Sequence, residues 1–246
     1  RSFLNIFSYL LTKLLKLLGI KKRKEKLLSI QKPLSPMYKL EIKKPKDIVL
    51  IKDYISTIKV SIKYATNDNF TGKPVPGYQA ENAFLSLAAI NNLKEIQKIL
   101  LEKNLSLYVF DAYRPHQSVE YFMQQWRQSE ECLTLKQDFH PHLTKNELFE
   151  HGFLASPSSH SRASTIDLSL FDLHKNQLLD MGSSFDYFDK ISATTSPLIT
   201  QQAQENRLLL VEVMSSYGFI NYEKEWWHFR LEAEPYPGTL FDFIIN

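Results

Sequence analysis

Cys132 is the only cysteine among the 246 residues of this chain, and this limits what the chain can fold into. One thiol cannot form an internal disulfide, so the fold must be stabilised by a hydrophobic core. A chain of this length can bury such a core as one large domain or two small ones. One thiol also cannot build a cysteine-based zinc cluster, so any transition-metal site must use the seven histidines and the carboxylates.

The net charge of +3 is distributed unequally along the chain. Residues 1–26 carry eight Lys or Arg side chains and one acidic side chain, which is a local charge of +7 and leaves −4 for the remaining residues. The positive charge therefore belongs to the first 26 residues, and the rest of the chain is mildly acidic. We expect no nucleic-acid partner on this ground.

The N-terminal segment has the pattern of an amphipathic helix, because its apolar residues recur at spacings of three and four. These residues are Leu4, Phe7, Leu11, Leu14, Leu15 and Leu18. A basic run at residues 21–26 follows, and two lysines within the apolar stretch argue against a transmembrane helix. Residues 3–26 are expected to lie on an anionic membrane surface or to pack on a protein, and both interpretations stay open. With the proline-containing linker, this gives an N-terminal region of residues 1–36 and a domain of residues 37–246.

Within the domain, helical and alternating patterns are interleaved. Strands are predicted over 54–64, 105–110, 164–171 and 226–232, helices over 80–102, 117–128 and 208–217, and a long loop over 67–78. The regular alternation of a parallel βαβ sheet is missing. The sequence therefore predicts an α+β fold in a single domain.

Two polar clusters contain the residues that are candidates for catalysis or metal binding. In the first, residues 158–168 (SSHSRASTIDL), Asp167 lies on the strand face opposite the apolar residues, and a turn could return His160 to it. In the second, residues 223–230 (EKEWWHFR), His228 alternates with apolar residues and Glu225 lies at the turn into the strand. The two clusters together offer two imidazoles and two carboxylates.

Two imidazoles and one carboxylate form a sufficient ligand set for one catalytic Zn²⁺ per chain, with a fourth position for water. Zinc lowers the pKa of water from about 15.7 toward roughly 7. Glu225 is the candidate general base, and Arg114, close after a predicted strand, could stabilise an oxyanion. Each residue alone also has an ordinary interpretation: His228 as a structural histidine, Asp167 as an exposed carboxylate and Arg114 as part of a surface ion pair.

The order of five motifs resembles that of the D-alanyl-D-alanine dipeptidases of the VanX type. These are zinc enzymes with a site plan shared by D,D-carboxypeptidases and the hedgehog signalling domain. The motifs are residues 64–66 (YAT) with 69–74 (NFTGKP), 111–115 (DAYRP), 159–162 (SHSR) with Asp167, 180–182 (DMG) with 185–186 (FD), and 225–229 (EWWHF). The resemblance extends from about residue 58 to residue 243 and excludes the N-terminal region.

The resemblance implies a central, mostly antiparallel sheet flanked by helices, and it implies roles for particular residues. The implied zinc ligands are His160, Asp167 and His228. Glu225 is implied as the general base, and Arg114 as the residue that stabilises the oxyanion. Ser158 and Asp186 are implied to hold the free ammonium of a small dipeptide substrate, which would select dipeptides over longer chains.

Two positions depart from the family pattern. Ala163 replaces a usual glycine, and Thr165 replaces a usual alanine. If the glycine position needs a left-handed backbone, alanine there costs roughly 1–2 kcal/mol.

The resemblance leaves two alternatives to a dipeptidase: a D,D-carboxypeptidase acting on peptidoglycan stem peptides, and a non-catalytic zinc-containing binding domain. A cytoplasmic location, with the N-terminal helix on the membrane surface, is expected. A periplasmic location is the alternative if an export signal lies upstream of Arg1.

Overall fold

A computed structural model describes residues 38–246 of the chain, and residues 39–246 form one compact unit. The predicted N-terminal helix and most of the linker lie outside the described residues. The strands are β1 (Lys39–Glu41), β2 (Ile48–Leu50), β3 (Lys59–Val60), β4 (Phe84–Ser86), β5 (Leu105–Asp111), β6 (Thr165–Asp172), β7 (Gln177–Leu178), β8 (Phe219–Asn221), β9 (His228–Leu231) and β10 (Thr239–Phe241). The α-helices are α1 (Ile51–Tyr54), α2 (Leu87–Glu102), α3 (His116–Tyr121), α4 (Leu133–Phe139), α5 (Lys145–Glu150) and α6 (Gln201–Ser215). A π-helical turn, Phe122–Trp126, continues α3, and three 3₁₀ turns occur at Lys63–Ala65, Ser159–Arg162 and Lys190–Ser192.

The main sheet has the strand order β3-β5-β6-β9-β8, with β7 added to β6. The β3–β5 pair is parallel, and the other pairs in this sheet are antiparallel. Two small sheets pair β1 with β10 in parallel and β2 with β4 in antiparallel orientation. Helices α2 and α6 contact each other and the strands of the main sheet. This mixed arrangement of helices and sheet confirms the α+β class predicted from the sequence.

The predicted strand over 54–64 is wrong for most of its length. Only Lys59–Val60 pairs with another strand, while Tyr54 ends α1 and Lys63–Ala65 forms a 3₁₀ turn. The residues that gave the alternating pattern, such as Ile58 and Ile62, are indeed buried. They are buried although the segment around them is irregular. The pairing of the two residues of β3 with β5 is enough to place this segment at the edge of the main sheet.

The predicted helix over 80–102 begins seven residues later than expected. The hydroxyl of Ser86 accepts a hydrogen bond from the Ala89 amide at 3.4 Å, so Ser86 is the N-cap of α2. The residues before it are held in β4 by pairing with β2. Tertiary pairing therefore overrides the helical spacing of the apolar residues in this stretch.

The register of the main sheet places three polar residues side by side. Asp111 on β5 is opposite Asp167 on β6, after an irregularity between Val109 and Asp111. Asp167 is in turn opposite His228 on β9. Directly opposite residues project to the same face of a sheet, so this row presents two carboxylates and an imidazole together.

Both faces of β6 are covered, since seven of its eight residues are buried. Asp167 is only 2% exposed, so the interpretation of this residue as an ordinary exposed carboxylate is wrong. Within residues 38–246, no helix has the length and apolar character needed to cross a membrane.

Candidate metal centre and active site

Three side chains from separate elements meet beside the paired strands β6 and β9. His160 Nε2 lies 3.3 Å from Asp167 Oδ2, and His228 Nδ1 lies 3.1 Å from Asp167 Oδ1. The two imidazole nitrogens, His160 Nε2 and His228 Nδ1, are 3.3 Å apart. His160 reaches this point because the 3₁₀ turn Ser159–Arg162 reverses the chain just before β6. The structure thus brings together the three residues that the sequence indicated for a metal.

The three donors fit a small divalent cation. Ligands at about 2.0–2.1 Å from a tetrahedral zinc ion lie roughly 3.3 Å from one another, close to the separations found here. His160 Nδ1 donates to the Ala112 carbonyl at 2.7 Å, which leaves the lone pair of Nε2 directed at Asp167 and His228. Asp167 Oδ1 is buried, and within residues 38–246 it accepts no hydrogen bond. A buried carboxylate oxygen without a donor is suited to a metal ion.

The protonation states of these residues also suit a cation. Burial by itself would raise the pKa of Asp167, but the adjacent His160 and His228 lower this pKa well below its ordinary value. Burial lowers the pKa of His228. Asp167 is therefore anionic and His228 neutral near pH 7, which are the forms that bind metals.

Arg114 is held in a fixed position beside this group. Its Nε donates to Asp111 Oδ2 at 2.9 Å, and its Nη2 lies 3.5 Å from Asp167 Oδ2. The guanidinium carbon lies 4.8 Å from the centre of the Tyr64 ring, a cation–π distance. Asp111 is itself fully buried and accepts a second hydrogen bond from the Tyr78 hydroxyl at 2.7 Å. Arg114 is thus a buried, oriented cation, so its interpretation as a surface ion pair is wrong.

Glu225 lies next to His228, in the turn before β9. Its Oε2 is 3.5 Å from His228 Nδ1, and its buried Oε1 has no hydrogen-bond partner in the part of the chain that the structure describes. Burial raises the pKa of Glu225 well above its ordinary value, and the negative charges of Asp167 and Asp186 raise this pKa further. A carboxylate with a raised pKa holds an accepted proton more readily, which suits general-base chemistry.

Asp186 and Ser158 lie in the same cleft. Asp186 is 3% exposed and accepts a hydrogen bond from the Tyr64 hydroxyl at 2.8 Å. Burial, followed by the charge of Asp167, raises the pKa of Asp186 well above its ordinary value. The Ser158 hydroxyl accepts a hydrogen bond from the His160 amide at 3.3 Å, so this serine also caps the turn that holds His160.

One cleft of about 520 Å³ connects all of these groups. All seven residues indicated by the sequence line it: Arg114, Ser158, His160, Asp167, Asp186, Glu225 and His228. The cleft contains three acidic side chains close together, so its unliganded state is electrostatically unfavourable. A bound cation and a cationic substrate group would relieve this repulsion.

Sequence reasoning assigned no role to two residues of the site. Tyr64 contacts both Arg114 and Asp186, and Asp111 holds Arg114 in place. Tyr64 lies in the motif YAT and Asp111 in the motif DAYRP, so the sequence motifs already contained both residues. Their contacts depend on the register of β5 with β6 and on the path of the 3₁₀ turn Lys63–Ala65, neither of which is encoded locally.

The two departures from the family pattern have physical consequences. Ala163 has φ +56° and ψ +33°, so it adopts the left-handed conformation for which glycine is favoured. Thr165 is fully buried, and its hydroxyl has no hydrogen-bond partner among residues 38–246. Neither residue provides a ligand, and both substitutions act on the segment that connects His160 to Asp167.

A family model described as D-ala-D-ala dipeptidase (Peptidase M15) matches residues 44–246 of the chain. A D-alanyl-D-alanine dipeptidase of Enterococcus faecalis is 39% identical over 198 residues, which cover 80% of this chain and 98% of that protein. One from Enterococcus faecium is 38% identical, over 80% of this chain and 96% of its own length. One from Streptomyces coelicolor is 37% identical, over 81% of this chain and 98% of its own length.

Proposed function

The chain belongs to the D-Ala-D-Ala dipeptidase family and is a peptidase, and we propose that it hydrolyses D-Ala-D-Ala to two molecules of D-alanine. The proposal depends above all on one observation: His160, Asp167 and His228 converge within a single cleft that also contains Glu225. These three residues would hold one zinc ion per chain.

The reaction adds water across the peptide bond. Zinc, when bound, polarises the carbonyl and lowers the pKa of the attacking water. Glu225 accepts a proton from this water as the oxygen bonds to the carbonyl carbon, and it then donates the proton to the amino nitrogen as the carbon–nitrogen bond breaks. Burial of Glu225 supports this cycle, because a carboxylate with a raised pKa can hold the proton between the two steps.

Arg114 stabilises the negative charge that develops on the carbonyl oxygen. The guanidinium is already fixed by Asp111 and by the ring of Tyr64, so little reorganisation is needed when the charge forms. Nε donates to Asp111 and Nη2 lies near Asp167, so we assign Nη1 as the donor to the oxyanion.

Asp186 receives the free ammonium of the first D-alanine, assisted by Ser158. A buried carboxylate is costly when unpaired and favourable when it faces a cation. Substrates that lack an ammonium, such as N-acetylated dipeptides, leave Asp186 unpaired and should be rejected.

These residues also distinguish the proposed function from its two alternatives. A D,D-carboxypeptidase acting on stem peptides would place an extended chain, with no ammonium, against buried Asp186. A zinc-containing binding domain would require neither Glu225 nor Arg114. Buried, precisely held groups with no binding purpose would only lower the stability of such a domain.

Several finer expectations stay predictions. These are the domain boundary at residues 36 and 37, membrane contact through residues 3–26, a cytoplasmic location and the fold resemblance to D,D-peptidases and the hedgehog domain. The antiparallel pairings around β6 support the last of these.

Substrate comparison tests the proposed function. The purified full chain is incubated with D-Ala-D-Ala, L-Ala-L-Ala and N-acetyl-D-Ala-D-Ala, and released alanine is measured. We expect hydrolysis of the first substrate alone at a substantial rate. Equal cleavage of all three would exclude both the stereochemical preference and the role of Asp186.

A further inference from the structure

Arg207 on α6 is a fully buried arginine outside the cleft. Within residues 38–246 it forms no ion pair with a carboxylate, and its hydrogen bonds go to uncharged oxygens instead. Burial lowers the pKa of Arg207 to about 10, so the side chain stays charged at neutral pH. The negative charge of Asp180 partly offsets this lowering of the pKa. A buried charge is costly unless its hydrogen bonds are satisfied, and this arrangement needs a reason.

All of these hydrogen bonds go to the loop formed by residues 181–193, which carries Asp186. Arg207 Nε donates to the Met181 carbonyl at 2.6 Å, at the start of the loop. Its Nη1 donates to the carbonyls of Ile191 and Ala193 at 3.0 and 2.6 Å, at the end of the loop. One guanidinium therefore ties the two ends of this loop together.

The same guanidinium connects the loop to the segment that carries Glu225. Arg207 Nη2 donates to the Ser183 hydroxyl at 3.2 Å, and the indole nitrogen of Trp226 donates to the same hydroxyl oxygen at 2.9 Å. The Trp226 amide also donates to the Ser192 carbonyl at 3.0 Å. Trp226 directly follows Glu225, so Arg207, Ser183 and Trp226 join the loop of Asp186 to the turn of Glu225.

The backbone of the loop turns at Asp186. Asp186 has φ +58°, a left-handed conformation that is uncommon for non-glycine residues, although aspartate adopts it more often than most. The Tyr187 amide donates to the Ser184 carbonyl at 3.4 Å, so Asp186 is the third residue of a β-turn. The bonds from Arg207 close the loop on both sides of this turn.

We propose that Arg207 is a positioning residue, which acts through Ser183 and Trp226 to fix Asp186 relative to Glu225. The inference rests on the proposed function, because it assumes that Asp186 holds the substrate ammonium and that Glu225 is the base. The distance between these two groups must match the distance from the ammonium to the scissile carbonyl, which is short and invariant in a dipeptide.

The experiment compares Arg207→Lys and Ser183→Ala with the wild-type chain. Gln204→Ala is the matched control, because Gln204 lies on the same helix and donates to the Ser196 carbonyl, beyond the loop. Ser183→Ala removes a hydroxyl that contacts Arg207, Trp226 and, at 2.9 Å, the Ser192 hydroxyl. This small change keeps the test valid if Arg207→Lys fails to fold. For each variant we measure metal content, kcat and KM for D-Ala-D-Ala, and amide hydrogen exchange without substrate.

We expect both variants to retain bound metal and to show faster exchange in residues 181–193. KM should rise and kcat/KM should fall by at least about tenfold, since misplacement of 1 Å can cost about 10²-fold. A merely structural role would reduce the amount of active enzyme and lower kcat, while KM would stay unchanged. Gln204→Ala should leave KM and loop exchange as in the wild type.

Unchanged exchange in residues 181–193, or an unchanged KM despite faster exchange, would overturn the inference. Failure of the proposed function has a different signature, namely a wild-type chain that does not hydrolyse D-Ala-D-Ala. In that case the amide hydrogen exchange of residues 181–193 is the measurement that tests whether Arg207 holds the loop.

Discussion

Glu225 is buried beside Asp167 and Asp186, and this crowding of carboxylates lowers the stability of the fold. Active sites tolerate such a cost when the groups serve the reaction. Replacement of Glu225 by glutamine keeps the size of the side chain and removes its ability to accept a proton. We expect Glu225→Gln to keep its metal and to lose a factor of about 10²–10⁴ in kcat. Metal analysis together with steady-state kinetics measures this, and a variant with wild-type kcat would show that another group is the base.

The raised pKa of Asp186 predicts how stability depends on pH. The folded-state pKa of this carboxyl lies above its unfolded value, so its contribution to stability is present at low pH and is lost as pH rises through the folded-state pKa. In the metal-free protein, Asp186→Asn should therefore raise the melting temperature at pH 8 and have little effect near pH 4.

The size of this effect should be about 2–4 °C for each kcal/mol of relieved charge burial. Thermal denaturation at both pH values is the measurement. The same variant should lose about two orders of magnitude in kcat/KM for D-Ala-D-Ala, because the substrate ammonium loses its buried partner. A melting temperature that falls equally at both pH values would contradict the assigned pKa shift.

Strand β6 carries Asp167, a proposed metal ligand, and two residues earlier a hydroxyl that has no partner within residues 38–246. A buried hydroxyl without a partner costs about 1–3 kcal/mol, and Thr165 is such a group. Thr165→Val keeps the branched shape that suits a strand and should raise stability by about 1 kcal/mol.

Thr71→Val is the matched control for this prediction. The Thr71 hydroxyl donates to the Lys73 carbonyl and contacts Asn69 Oδ1, at 2.9 and 2.7 Å, so its loss should lower stability. Denaturant unfolding of the two variants compares them directly. Destabilisation by Thr165→Val would show that its hydroxyl has a partner, such as an ordered water.

For helices and strands, the sequence predicted which segments form them better than it predicted where they begin and end. Strands β5 and β6 follow from their apolar runs, and the helix ending near Glu102 follows from its periodicity. The start of α2 and the short β3 depend on pairing between distant segments, which local patterns do not contain. The hydrogen bonds that close the loop of Asp186 likewise come from Arg207, which lies 21 positions further along the chain.

Across the whole domain, the site is a product of strand register. Asp111, Asp167 and His228 are neighbours only because β5, β6 and β9 are paired in one particular alignment. A shift of one residue in either pairing would turn these side chains to the opposite face. The residue types could be selected from the sequence because the motifs resemble a known family, while their separations required the folded structure.

Metal analysis of the purified full chain, combined with a D-Ala-D-Ala hydrolysis assay before and after chelation, examines whether His160, Asp167 and His228 form a catalytic metal centre. We predict close to one zinc ion per chain, complete loss of hydrolysis on chelation and its return when zinc is added. A metal-free preparation that hydrolyses D-Ala-D-Ala at the original rate would contradict the proposed mechanism.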